Sequence, residues 1–251
     1  MSFYLKAMLY HSLIIFSILT MTGLCSCKQN EESKQEHILV ITGGHEFEPS
    51  FFSIFDSFTG IGYDTVSQPG FNRMVSTGFS KQYSALVFYD MWQNISAEQK
   101  QGYLKLLDEG QGMLFLHHSL VSYQNWDEFI KIVGGKYVER GDDDNPNIKG
   151  STYTENITMN IKVVSKGHPV TSGVSDFSIY DEGYQYIEML AGITPLLTTN
   201  HPNCSHTVAW AHRYKNSRIV YIMLGHGHQA YENANYRKLV SNAIHWVGEK
   251  K

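Results

Sequence analysis

The stretch that most constrains this chain is Gly112-Met113-Leu114-Phe115-Leu116-His117-His118-Ser119, an apolar run ending abruptly in two imidazoles and a hydroxyl. A short unbroken apolar run reads as a buried strand. In an open α/β sheet, ligands bind in the crevice outside the carboxyl ends of the strands. Protonatable side chains at that spot are therefore placed where chemistry usually happens. Two other apolar runs end the same way: 38–42 leads into Gly43-Gly44-His45, and 219–224 leads into Gly225-His226-Gly227-His228. Three runs, each capped by histidine, predict one shared site.

The rest of the chain supports a sheet of this type. Residues 63–67 and the apolar run 85–89 read as further strands, the latter closing on Asp90. Phe51, Phe52, Ile54, Phe55 and Phe58 give 49–58 the apolar face of a helix with Pro49 near its start. Ser96-Ala97-Glu98-Gln99 has the spacing of a capping box, predicting a helix that runs to Asp108 or Glu109. Another helix, 126–133, is stopped by Gly134-Gly135. Strands alternating with helices argue for a mostly parallel sheet with helices on both faces. From Lys136 the pattern changes. Residues 141–147 are turn-rich, 152–164 alternate as an extended strand expected antiparallel at an edge, and 207–214 with 218–224 read as a hairpin. An amphipathic helix at 234–247 closes the fold.

The first residues stand apart from this pattern. Lys6, a short apolar core at 13–19 and small residues up to Ser26 have the layout of a secretory signal peptide. Leu24-Cys25-Ser26-Cys27 resembles a bacterial lipobox, which implies cleavage before Cys27 and its lipidation. The polar run 28–36 reads as a flexible tether. The expected organisation is a leader at 1–26, a tether at 27–36 and one α/β domain at 37–251. An acidic tether after a lipidated cysteine points to the envelope of a Gram-negative bacterium, at the outer membrane and exposed on the surface. Without the leader the chain carries 19 Lys and Arg against 24 Asp and Glu, near −5. That balance offers no basic patch for nucleic acid. Beyond Cys27 the one remaining cysteine is Cys204, so neither an intramolecular disulfide nor a cysteine-based zinc site follows.

Adjacent residues on a regular strand point to opposite faces. Only one of His117 and His118 is therefore expected in the crevice, and His118, nearer the turn, is the choice. Asp181-Glu182 are the carboxylates best suited to proton transfer beside imidazole. Gly44, His45, Ser119, Tyr184, His226 and His228 are the expected ligand-binding residues. A metal would have to be assembled from separate strand ends, for instance His45, His118 and His226. No HExxH-type helical pair supports it, so a divalent metal is not favoured. The acidic run 142–144 lacks the glycine and terminal glutamate of an EF-hand loop. No nucleotide-binding motif is present.

Several segments, in order, resemble the trehalose-utilisation (ThuA-like) family of the class I glutamine-amidotransferase-like fold. They are Thr42-Gly43-Gly44-His45, the 112–119 run, His168-Pro169-Val170 and Phe177-Ser178-Ile179-Tyr180-Asp181-Glu182-Gly183-Tyr184. After these come Leu224-Gly225-His226-Gly227-His228, Tyr231, Asn233, Tyr236 and Asn242-Ala243-Ile244-His245-Trp246. Gly183 departs from the family, which usually has leucine before the tyrosine. The resemblance implies a three-layer open sheet of flavodoxin-like type with an antiparallel edge extension. It also implies a carbohydrate substrate, a disaccharide or a keto-sugar derivative. Amidotransferases of this fold keep a nucleophilic cysteine at the turn after the strand that here is 113–117. This chain has His117, His118 and Ser119 there, so glutaminase activity is not expected. The expected chemistry is acid–base catalysis by His118 with Asp181 or Glu182. The rival readings are a non-catalytic sugar-binding lipoprotein, with Tyr184, Tyr186, Trp210 and Tyr231 as aromatic walls, and a metal-dependent hydrolase.

Overall fold

The apolar runs become strands because they are buried on both faces. In chain order the first elements are β1 (Glu36–Gly43), α1 (Ser53–Asp56), β2 (Ile61–Ser67), α2 (Gly70–Thr77), β3 (Ala85–Asp90) and α3 (Ala97–Asp108). Then come β4 (Gly112–Leu116), α4 (Asp127–Val133), β5 (Gly135–Lys136), β6 (Thr152–Val163), β7 (Phe177–Gln185) and β8 (Glu188–Met189). The last are β9 (Thr194–Thr199), β10 (Thr207–Tyr214), β11 (Ser217–Ile222), α5 (His228–Tyr231) and α6 (Ala234–Gly248). The structure, a computed structural model, describes residues 36–79, 82–140 and 149–249. The expected leader, Cys27, the tether up to residue 35 and the 141–147 loop lie outside the described residues.

Among the described residues the sheet has nine strands in the order β2-β1-β3-β4-β11-β10-β9-β6-β7, and β5 pairs separately with β8. From β2 to β11 the pairings are parallel, and from β11 to β7 they are antiparallel. The expected α/β class holds, with an antiparallel part larger than an edge extension. β6 is not the edge strand expected from 152–164. It pairs with β7 on one side and β9 on the other, which leaves β7 outermost.

Successive residues of β3 show how the helices cover both faces. Phe88 packs against Phe71 of α2 and Tyr103 of α3, whereas Tyr89 stacks on Phe51 at 4.0 Å between ring centroids and bonds Tyr231 of α5. The capping box of α3 forms as expected. The Ser96 amide donates to Gln99 Oε1 (2.8 Å), and the Gln99 amide donates to Ser96 Oγ (3.3 Å). The predicted helix at 49–58 is shorter: a 3-10 turn, Pro49–Phe52, leads into α1. The unpredicted α2 spans little more than two turns, too few for a clear periodic signal. Its apolar Phe71 and Val75 are buried, and its buried Asn72 accepts from the Tyr103 and Tyr123 hydroxyls.

The pairing of β6 with β7 shifts register between Thr154 and Ile157, where Asn156 takes φ 60°, the pattern of a bulge. β7 lies against the carboxyl ends of β4 and β11. The Tyr184 amide reaches Met223 Sδ at 3.5 Å, and Asp181 accepts from the Gly225 and His226 amides.

Candidate functional site

The parallel strands bring their carboxyl ends together in register, Gly43 opposite Asp90 and Leu116 opposite Ile222. β4 stops at Leu116, and the chain turns at once into a 3-10 turn, His117–Val121. His117 itself takes a left-handed φ of 47°, a conformation uncommon outside glycine. The Tyr221 hydroxyl holds this turn by donating to the His117 carbonyl (3.0 Å). The alternation argument fails here because the strand has ended before His117. Both imidazoles face one pocket, and the residue at the strand-to-turn elbow is His117 rather than His118.

His117 is fully buried. Its Nδ1 donates to the Met223 carbonyl (2.6 Å), and its Nε2 meets three groups. These are the Tyr184 hydroxyl at 3.0 Å, His226 Nδ1 at 3.0 Å and Glu182 Oε1 at 3.3 Å. Burial disfavours the imidazolium, but Glu182, Asp181 and the Met223 carbonyl outweigh it and raise the His117 pKa. Burial likewise opposes the Glu182 carboxylate. His117, His226 and Tyr184 more than compensate, holding Glu182 below its ordinary value. The His226 pKa is lowered by burial and by the charge of His117, against the pull of Glu182 and Asp181.

Asp181 does not face the pocket. Its carboxylate accepts from the Gly225 amide (2.7 Å) and the His226 amide (2.9 Å), fixing the turn that carries His226. That turn needs Gly225, at φ 112°, because a Cβ there would lie 2.2 Å from the Tyr236 hydroxyl. His118 does face the pocket, with its ring centroid 4.2 Å from Tyr89 and 4.9 Å from His45. Neither of its ring nitrogens makes a well-formed hydrogen bond. Burial and the neighbouring charges of His117 and His45 push its pKa well down, and the nearby Tyr89 backbone opposes this only in part.

Of the other predicted residues, His45 stands at the pocket rim with its Nδ1 against the Glu46 carbonyl. Tyr184 lines the pocket and stacks on His117. Gly44 serves the fold: a Cβ there would fall 1.6 Å from the Met91 carbonyl oxygen. The Ser119 hydroxyl is buried outside the pocket lining, and His228 turns away to pair with Glu48 at 3.1 Å. Of the four suggested aromatic walls only Tyr184 serves. Trp210 and Tyr231 are core, and Tyr186 lies on the surface beneath the Lys149 ammonium. The metal set His45, His118 and His226 is also replaced. The atoms that converge belong to His117, Glu182 and His226, all within 4.8 Å of one another.

The pocket encloses about 200 Å³, and its remaining lining was missed from sequence: Met91, Trp92, Val121, Tyr137, Glu139, Tyr153 and Glu155. Met91 and Trp92 follow a predicted strand end, a signal that could have found them. Trp92 is 55% exposed and Tyr153 60%, so both form a rim open to solvent. Trp92 adopts φ 48° and donates its indole N–H to Glu139. A larger cavity of about 400 Å³ lies at the opposite edge of the parallel strands, beside Ser84, Gln111 and Arg218. It holds no comparable cluster and sits at the edge where α/β sheets rarely bind ligands.

Cys204 is far from the elbow in chemistry as well as in sequence. It fills the space beside Gly183, where a Cβ would meet Cys204 Sγ at 3.1 Å, which explains the glycine that departs from the family pattern. Burial pushes its thiol up to about 12.

A sheet parallel from β2 to β11, with helices packed on it and a left-handed turn after β4, gives the chain an α/β fold consistent with the class I glutamine-amidotransferase-like type. The model of the trehalose utilisation (ThuA) family matches residues 63–247, and the chain belongs to that family. A ThuA-like protein from Parabacteroides merdae superposes with a TM-score of 0.69 at 20% identity, over 86% of this chain and 90% of that one. Another from Bacteroides uniformis gives 0.65 at 19%, over 86% and 92%. A β-galactosidase from Bacillus circulans sp. alkalophilus gives 0.54 at 12%, over 86% of this chain but 32% of its own. No curated protein matches the chain.

Proposed function

We propose that the protein acts on a carbohydrate, a disaccharide or its keto derivative, by proton transfer within the histidine–carboxylate cluster and without glutaminase activity. The observation that carries this reading is His118, a buried imidazole facing the pocket with no well-formed hydrogen bond at either nitrogen, beside the His117–Glu182 pair. A ligand that enters the pocket deeply enough to reach one of these buried, unpaired nitrogens would exchange a proton with it. His117, whose charged form Glu182 favours, stands where it can stabilise negative charge developing on a ligand oxygen. Asp181 acts one step back, as a positioning residue for His226. The rim of Trp92, Tyr137 and Tyr153 suits the apolar faces of sugar rings, and the family's association with trehalose utilisation supports that substrate class.

The test is a turnover screen by mass spectrometry over disaccharides and their keto derivatives, with wild type and a folded His118→Asn variant. Turnover in the wild type, lost in the variant, is expected. An unchanged rate in the variant would sink the role of His118. Tight binding of sugars with no conversion would favour a sugar-binding lipoprotein, a reading to which the exposed Trp92 and Tyr153 also lend themselves.

We further propose that Cys27 is lipidated and tethers the domain to the cell envelope, on the strength of the leader-like 1–26 segment and the 24–27 tetrad. Among the described residues no helix is long and apolar enough to cross a membrane. Cys27→Ser should move the protein out of the membrane fraction, and retention there would refute the anchor.

A further inference from the structure

Three side chains from three separate elements converge at the elbow: His117 from the turn after β4, Glu182 from β7 and His226 from the turn before α5. Zinc binds nitrogen at about 2.0–2.1 Å and carboxylate oxygen at about 2.0–2.2 Å, so tetrahedral ligand atoms lie about 3.3–3.4 Å apart. The spacings here are 3.3 Å from His117 Nε2 to Glu182 Oε1, 3.0 Å from His117 Nε2 to His226 Nδ1, and 3.8 Å from His226 Nδ1 to Glu182 Oε2. The first two fall within about half an ångström of that edge, and with one carboxylate oxygen serving both histidines the three ligand atoms lie within 4.8 Å of one another.

The outer supports are also those of a metal site. Metal-ligating histidines commonly donate their other ring N–H to a carbonyl or carboxylate, which fixes the tautomer. His117 Nδ1 does so to the Met223 carbonyl at 2.6 Å. Asp181 clamps the backbone amide of His226 at 2.9 Å. An independent observation lies in the same pocket, where the His118 ring, 3% exposed, has neither nitrogen in a well-formed hydrogen bond.

We propose that His117 Nε2, the Glu182 carboxylate and His226 Nδ1 bind a divalent cation of the zinc class, with a fourth position open to the pocket. The cation replaces the proton on His117 Nε2. The Tyr184 hydroxyl, 3.0 Å from that nitrogen, borders the open position and can hydrogen-bond the oxygen that enters it. A cation so held polarises a carbonyl or hydroxyl oxygen of a ligand in the pocket. The inference goes beyond the carbohydrate reading, because it requires the cluster and no particular substrate.

The test uses the full chain, stripped with a chelator, dialysed and titrated with zinc chloride and, in parallel, cobalt(II) chloride. About one zinc per chain and a visible ligand-field band of low-coordinate cobalt are expected. Glu182→Gln and His226→Gln should each weaken zinc binding about a hundredfold or more, while His45→Ala on the same pocket leaves it within about threefold. Near-UV circular dichroism checks each variant's fold, and the wild-type cobalt spectrum decides independently of them. Failure to take up stoichiometric zinc, or equal affinity in wild type and folded Glu182→Gln, would overturn the proposal. Stoichiometric zinc without any carbohydrate turnover would uphold it and overturn the carbohydrate reading instead.

Discussion

Asp90 ends β3 just before Met91 and Trp92 of the pocket wall, and it is buried to 1% exposure. Its Oδ2 accepts from Gln68 Nε2 at 2.9 Å and its Oδ1 from the Ser122 hydroxyl at 3.3 Å. Burial raises its pKa from 3.8 to about 7, and the Gln68 and Ser122 hydrogen bonds only temper the rise. Because the folded value exceeds the unfolded one, its contribution to stability is fully present below about pH 4 and is lost as pH rises through about 7. About three pKa units correspond to about 4 kcal/mol at most, of which about 3 kcal/mol falls between about pH 5 and about pH 8.5. Asp90→Asn imitates the protonated acid: its carbonyl still serves Gln68, and its amide can donate to Ser122. Urea unfolding of wild type and variant across this range isolates the effect from all other titrating groups. The free-energy difference should shift by about 3 kcal/mol in favour of the variant as pH rises. A difference that stays flat to within about 1 kcal/mol would refute the buried, protonated carboxyl.

Three other outcomes test the local geometry. Gly44→Ala should destabilise the fold by at least about 2 kcal/mol in the same unfolding assay, since its Cβ collides with the Met91 carbonyl oxygen at a positive φ. In the native protein Cys204 should resist iodoacetamide near pH 8 and react once unfolded, read by peptide mass spectrometry; rapid native labelling would contradict its raised pKa. Trp92→Ala should raise KM for a carbohydrate substrate about tenfold with kcat within about threefold, and a lower kcat at unchanged KM would deny it a binding role.

The strands at the site were legible because burial on both faces leaves an unbroken apolar run, a local property of 38–42, 85–89, 113–116 and 219–222. The caps of α3 and the stop of α4 at Gly134 were local too. The tiling of the antiparallel half was not. β6 carries alternating residues that suit either an edge or an interior position, and only its partners decide which. α2 was missed because its stability comes from Phe71 against Phe88 and Tyr103 rather than from its own short sequence.

The site divides along the same line. Sequence by itself determined that histidines cap the buried strands and that the elbow lacks a thiol, because composition at a strand end needs no knowledge of neighbours. Tertiary structure decided which groups meet. A one-residue difference in where β4 ends turns His117 into the pocket together with His118, overriding the alternation that holds only inside a strand. β7 meets the turns that follow β4 and β11, so that Glu182 reaches His117 and Asp181 holds His226 from behind. Adjacent carboxylates acquire different tasks because each is read by what the fold packs against it.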